Sequence, residues 1–522
     1  MPGPTTTPEL AKVSSKEQEV FAEHDERTLE TGGTADRKRL ERKLLWKLDA
    51  RFCLYRVLFQ PQISLVSLPS SLLRPGSCPD SPFCPKIDYI DRNNTGAARL
   101  KGFEKDLGLV GQQFATVLSI LYVGYILTQI PSNIIVQKTG RPSLWLPFCM
   151  LIWGGLSVAT GAAKNFGQVL AIRILLGIAE SAFFPGALMT LASWYTKREL
   201  GQRITLLYCG SLISNAFGPL IAAGILGRME GAGGIRAWRW LFYIEGAITM
   251  AVAVISVFIL PDFPHNSRGF SAEEKELAQL RMTEDVGMKD ETTVSTWTAL
   301  KIALGDYKLH LMSLTLTAMV VGLSFNAYFP TLTKTLGYSS EVSLLLCAPP
   351  FVWAAIVAYF VSRDSDKRQE RYLHIVVPLV FGIVGAIIAM TCRKSFGASY
   401  FALFLLASSY AGFVVFYALV SSTFARPAMT RSISLAYVNA FSQLGNIAGS
   451  YVWQSKWGPS YAKSYGIVIA MFVATIIGLT VIRFDLVRLN KKLASRDEAE
   501  AKGQEHHGLS ATDYPAGFRY TL

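Results

Sequence analysis

Charge is scarce in this chain. Only 17% of its 522 residues are Asp, Glu, Lys or Arg, where a soluble chain carries about 25%. A large water-soluble domain is thereby disfavoured. The residues of metal and redox chemistry are equally thin. The seven cysteines (53, 78, 84, 149, 209, 347 and 392) form no C-x-x-C pair and no Cys/His cluster, which removes the common zinc and thiol–disulfide motifs. No nucleophile–base pair stands out and no G-x-x-x-x-G-K-[ST] loop occurs. An enzyme and an ATP-driven pump are both disfavoured, and neither cofactor nor metal is expected. The first 35 residues are polar and lack an apolar h-region, so no cleavable secretory signal is read there.

Apolar length is what the chain has. Hydrophobic residues make up 51% of it, gathered in runs of about 20, the length that crosses a bilayer. After an irregular first span, eleven runs read cleanly, over residues 113–136, 144–163, 167–195, 205–226, 240–260, 309–331, 342–361, 373–391, 400–423, 433–453 and 465–482. A polar connection over 261–307 marks the midpoint. The chain thus divides into a disordered tail (1–43), a six-span half (44–260), a linker (261–307), a second six-span half (308–484) and a C-terminal tail (485–522). Two pseudo-symmetric halves around a midplane site are the layout of a secondary transporter.

The formal net charge of +13 does not imply nucleic acid. Its cations sit in short breaks after even-numbered spans, as Lys138/Arg141, Lys197/Arg198/Arg203, Arg363/Lys367/Arg368/Arg371, Arg426/Arg431 and Arg483/Arg488/Lys491/Lys492. Arg228, Arg236 and Arg239 are exceptions. Basic loops stay in the cytoplasm, so both termini are expected there.

The run 167–195 contains only two formal charges, Arg173 and Glu180. A charge near the bilayer centre costs about 2.5–3.5 kcal/mol on insertion scales, so something must satisfy each. Seven positions on a helix place them on one face, about 10 Å apart. That exceeds the usual i,i+4 reach, so each is expected to find its partner on another helix or in a substrate.

Several motifs together carry a resemblance: IDRNNTGAARLKG (90–102), LSILYVGYILTQIPSN (118–133), RILLGIAESAFFPG (173–186), WRWLFYIEG (238–246), LPDFP (260–264), FNAYFP (325–330) and FRYTL (518–522). From about Lys43 onward the chain resembles the major facilitator superfamily, and within it the fungal anion:cation symporters, which include allantoate and nicotinate permeases. The resemblance implies an all-α membrane protein with the major facilitator fold, twelve spans in two halves. It implies that Asp91 and Arg92 face the central cavity from the first helix, and that Arg173 and Glu180 are the Arg…Glu pair seven apart on the fourth. In relatives that carry organic anions the two carboxylates bind protons and the first-helix arginine helps to bind substrate. Tyr125 resembles a cavity tyrosine, and Asn439 and Asn446 are weaker candidates for substrate hydrogen bonds.

Elementary chemistry points the same way. An organic anion entering a low-dielectric cavity needs a fixed cation, and the planar fork of Arg suits a carboxylate. Proton coupling needs a carboxyl group whose pKa rises on burial and falls on pairing, a role open to Asp91 and Glu180. Arg92 is the choice for substrate, with a structural pair to Asp91 or Glu180 as the alternative. Glu180 could equally form a static pair, and Arg173 reads as a structural charge partner. The cytoplasmic VQKTGRPS (136–143) lacks the gating Asp usual in the superfamily, whereas RDSDKRQER (363–371) keeps Asp366 and, with Arg368, is a candidate gate or a solvated loop.

One stretch breaks the pattern. Residues 60–85 hold six prolines and six serines without helical period, and cannot satisfy their own backbone in hydrocarbon. The anomaly over 56–88 reads either as a loop inserted into the first helix or as a retained intron or gene-model error. The expectation is a monomeric plasma-membrane carrier that couples protons to uptake of a small organic anion. A passive facilitator and a non-transporting nutrient sensor are the alternatives.

Overall fold

The computed structural model describes residues 34–58, 88–196, 214–286, 296–424, 428–501 and 519–520. Every regular element among them is helical. The first half comprises α1 (Thr34–Leu58), α2 (Asp88–Arg99), α3 (Gln113–Thr139), α4 (Pro142–Ala162), α5 (Phe166–Glu180), α6 (Phe183–Trp194), α7 (214–228) and α8 (Ala237–Ile259). The linker carries α9 (Ala272–Val286) and α10 (Thr296–Gly305). The second half holds α11 (Tyr307–Gly322), α12 (Ala348–Arg368), α13 (Tyr372–Thr391), α14 (Phe396–Ser408), α15 (Tyr410–Thr423), α16 (Ala428–Ser450) and α17 (Ala462–Ala501). The anomalous segment falls, from 59 to 87, outside the described residues.

Among the described residues, seven helical runs are long and apolar enough to cross a bilayer. Two physical causes keep others out of that set. Proline interrupts the fourth span: Pro185 has no N–H for the carbonyl of residue 181, and helix stops at Glu180 and restarts at Phe183. Polar residues thin the eleventh span, where Asn439, Ser442, Gln443 and Asn446 all lie on α16. Proline also breaks runs that remain long enough. Pro330 converts Leu323–Tyr328 into a 3-10 turn before a last helical turn at Phe329–Lys334.

The two halves repeat one packing scheme. In the first, α3 packs on α5 and α4 on α8; in the second, α12 packs on α14 and α13 on α17. These are the same span pairs, second with fourth and third with sixth, displaced by six. The halves meet where α3 lies against α16. Leu127, Phe258, Phe360 and Phe484 stand exposed, as lipid-facing side chains do and as a soluble surface rarely does.

Two segments expected to be tails are partly built into the fold. Helix α1 begins at Thr34, inside the stretch 1–43 expected to be disordered. Its Leu44, Leu48 and Phe52 are buried in one cluster with Trp194, Phe270, Leu277 and Ala278. Lys47 Nζ donates to both oxygens of Glu274 on α9, at 2.6 and 2.8 Å. Helix α17 runs past the expected boundary at 484 to Ala501. Tyr520 then packs back on it, exchanging backbone hydrogen bonds of 2.8 and 3.0 Å with the Asn490 side chain.

Candidate functional site

The fourth-span charges are buried, not lipid-facing. Arg173 and Glu180 are each 2% exposed. Helix α5 can hold them there because it approaches α3 at backbone distance. A Cβ added at Gly177 would stand 2.0 Å from the Leu121 carbonyl oxygen, and one at Gly124 would stand 2.4 Å from that of Ile174. This is small-residue packing, which lets two membrane helices touch without side chains between them. Gly177 lies between the two charges, and a Cβ there would stand 3.1 Å from the backbone nitrogen of buried Tyr125.

Arg173 spans three helices. Its Nη2 donates to Thr95 Oγ1 on α2, and its guanidinium lies 6.0 Å from the Phe242 ring centroid on α8. Thr95 stands four positions after Asp91 and three after Arg92 on α2. The side chains of Asp91 and Arg92 lie outside the described residues. Asn94, beside Thr95, is 2% exposed, and its Nδ2 has no hydrogen-bond partner among the described residues. Gln129 is equally buried, with Oε1 unpartnered among them.

A further buried carboxylate in the first half was not among the expected site residues. Glu245 on α8 is 4% exposed and stands one turn after Phe242, the ring under Arg173. The signal was present in the sequence: Glu245 is a charge inside the apolar run 240–260, by the criterion that singled out Glu180.

In the second half, Asn439 Oδ1 accepts from Tyr417 Oη at 3.1 Å and from Gln443 Nε2 at 3.5 Å, leaving Nδ2 without a partner among the described residues. Asn446 Nδ2 donates to Gln443 Oε1 at 2.8 Å. Positions 439, 443 and 446 form one polar ladder along α16, which packs on the helix that carries Tyr125.

Asp366 and Arg368 do not pair with each other. Asp366 accepts from Arg371 Nη1 at 2.6 Å, and Arg368 reaches Asp364 at 2.8 Å. His374 on α13 joins Asp364 at 3.0 Å and Glu370 at 2.6 Å, so the motif ties the ends of α12 and α13 together. The matching loop of the first half solves its missing Asp with the linker. Asp262, from LPDFP, accepts from Ser143 N–H at 3.0 Å, and its carbonyl accepts from Trp194 Nε1 at 2.9 Å. A carboxylate at the first turn of α4 satisfies a free N–H and favours the helix dipole.

The hydrogen bonds and ion pairs described between the halves gather at the end away from the linker. Lys101 Nζ pairs with Glu341 Oε1. Arg99 Nη2 donates to Ser455 Oγ at 2.7 Å. Tyr451 Oη lies 3.2 Å from both Thr116 Oγ1 and Ser119 Oγ.

The described residues form a helical membrane protein of two repeated halves, with the charges Arg173 and Glu180 buried inside the first. The Major Facilitator Superfamily profile matches residues 87–450, and the chain belongs to that family as a multi-pass membrane transporter. It is 32% identical over 453 residues to the MFS-type transporter cnsO of Penicillium expansum, covering 83% of this chain and 86% of that one. It is 30% identical over 387 residues to the major facilitator-type transporter hxnP of Emericella nidulans, covering 72% and 77%. The fold is shared with a D-xylose–proton symporter (TM-score 0.56, 14% identity, 75% of this chain and 95% of that one). It is shared too with a bacterial homolog of the lysosomal transporter Spinster, solved inward-facing and unoccupied (TM-score 0.55, 17% identity, 76% and 92%).

Proposed function

We propose that this transporter is a proton-coupled symporter that carries a small organic anion, a carboxylate such as nicotinate or allantoate, into the cell across the plasma membrane, with both termini cytoplasmic. The observation that carries the reading is the burial of Arg173 and Glu180, each 2% exposed, with Arg173 bonded to the helix that bears Asp91 and Arg92. Buried charges are retained where they serve an ion or substrate path. A solved neighbour of the same fold is a proton symporter.

In this reading Arg92 takes the carboxylate, Tyr125, Asn439 and Asn446 orient it, and Glu180 and Asp91 carry the proton. A protonated carboxyl leaves the arginine free for the anion. Exposure to the higher cytosolic pH removes the proton, and the restored carboxylate displaces the substrate. Arg173, bonded to Thr95, fixes the face of α5 that presents Glu180. Asp366 and Arg368, through Arg371 and Asp364, brace the cytoplasmic end of the second half during closure.

One proton per monoanion uses only the pH gradient, about 1.4 kcal/mol or a tenfold accumulation per unit. Glu180→Gln is therefore expected to reduce accumulation of labelled nicotinate or allantoate from about tenfold per pH unit toward equality across the membrane. Uptake in a deletion strain at several external pH values measures it. Full pH-dependent accumulation by the variant would show that Glu180 is not the coupling group.

A further inference from the structure

At the end where the halves meet, a cleft of about 430 Å³ lies between the end of α2, the start of α3 and the segment after α16. That volume is within the range of small-molecule sites. Arg99 lines it, with a side chain only 10% exposed. Its Nε meets Glu104 Oε1 at 3.0 Å and its Nη2 donates to Ser455 Oγ at 2.7 Å. Its Nη1 is buried and has no hydrogen-bond partner among the described residues. The guanidinium carbon stands 4.5 Å from the Phe114 ring centroid and 5.7 Å from that of Tyr328.

We propose that this cleft is a binding site for a small organic carboxylate held on Arg99, separate from the buried charges of α5. A guanidinium with one amino group unsatisfied lacks an acceptor, and displacement of the half-buried Glu104 side chain would open Nη1 and the second N–H of Nη2 as an end-on fork for a carboxylate. The occupant is a monoanion, because one arginine is offset by Glu104 and only Lys456 adds further positive charge to the lining. Phe114, Tyr328 and Trp453 give the cleft flat apolar walls suited to a planar ring. Glu104 is 35% exposed, so it is the partner free to yield when an anion arrives. The site deepens the organic-anion reading: it would collect the substrate at the mouth before the halves part.

The test uses the full chain purified in detergent, carrying Gln112→Cys at the rim and Cys392→Ser to remove an exposed thiol. Modification of residue 112 by a neutral maleimide is followed by mass spectrometry, with nicotinate, benzoate or allantoate present and with neutral nicotinamide as control. At least one carboxylate should slow the modification, and nicotinamide should not. Arg99→Gln should raise the half-protecting concentration about tenfold, the loss of one charge-assisted contact. Glu104→Gln, which keeps Arg99 in place and removes its competitor, should lower it. No protection by any carboxylate, equal protection by nicotinamide, or a shift of the same sign in both variants overturns the proposal. Uptake of the same carboxylates is measured separately. Protection without uptake sinks the transport reading alone, and uptake without protection sinks the site alone.

Discussion

The Lys101–Glu341 pair joins the end of the first helix to the start of the eighth span, across 240 residues of sequence. Breaking it should favour opening of the halves at that end. At an effective dielectric near 20, opposite unit charges about 3 Å apart attract by about 5 kcal/mol. Most of that is lost here. Lys101 is 24% exposed and Glu341 35% exposed, so solvent screens the pair, and ordering a lysine side chain costs up to about 2 kcal/mol. A net contribution of about 1 kcal/mol remains, the upper end for exposed pairs. Glu341→Gln should therefore raise the population open at this end about fivefold, since RT is about 0.6 kcal/mol. Spin labels at Val110→Cys and Tyr338→Cys, both exposed near the mouth, would report it as growth of a longer-distance component. Lys101→Glu combined with Glu341→Lys should return the distribution toward that of the native pair. The reasoning is refuted if Glu341→Gln leaves the distances unchanged, or if the reversed pair opens as far as either single charge reversal.

Other expectations follow from the same contacts. Gly177→Ala places a Cβ against the Leu121 backbone and should lower the melting temperature of the purified protein by several degrees, whereas Gly155→Ala, with nothing within 4 Å, should leave it unchanged. Burial pushes the Glu274 carboxyl up, but hydrogen bonds from Lys47 and the Ser271 N–H outweigh it and hold its pKa below the ordinary glutamate value. A depressed carboxylate pKa gives stability that is present at neutral pH and lost as pH falls through the folded value. Protection of α1 amides, measured against their intrinsic exchange rates, should accordingly fall as pH drops below the ordinary glutamate range, and Lys47→Met should remove most of that dependence. Tyr520→Ala should speed exchange over the end of α17 near Asn490, by loss of the ring held against Lys308 and of its packing; unchanged exchange would show that the C-terminal contact is not held in solution.

The sequence by itself determined that this is a helical membrane protein, because hydrophobic runs of bilayer length and charge-poor composition are local properties. It also located Arg173 and Glu180, since a charge inside an apolar run is visible without any partner. Glu245 was equally visible, but its motif WRWLFYIEG was used only for the family resemblance and its charge was not weighed. The breaks at Glu180 and before Pro330 follow from proline chemistry, which acts within four residues. Tertiary structure alone decided the pairings. Asp262 reaches Ser143 across 119 residues, Lys101 reaches Glu341 across 240, and Arg99 reaches Ser455 across 356. No periodicity encodes such contacts, because hydrogen bonds and ion pairs depend on distances that only the packed helices set. The same holds for the cleft at Arg99: every residue around it was readable, and its existence was not.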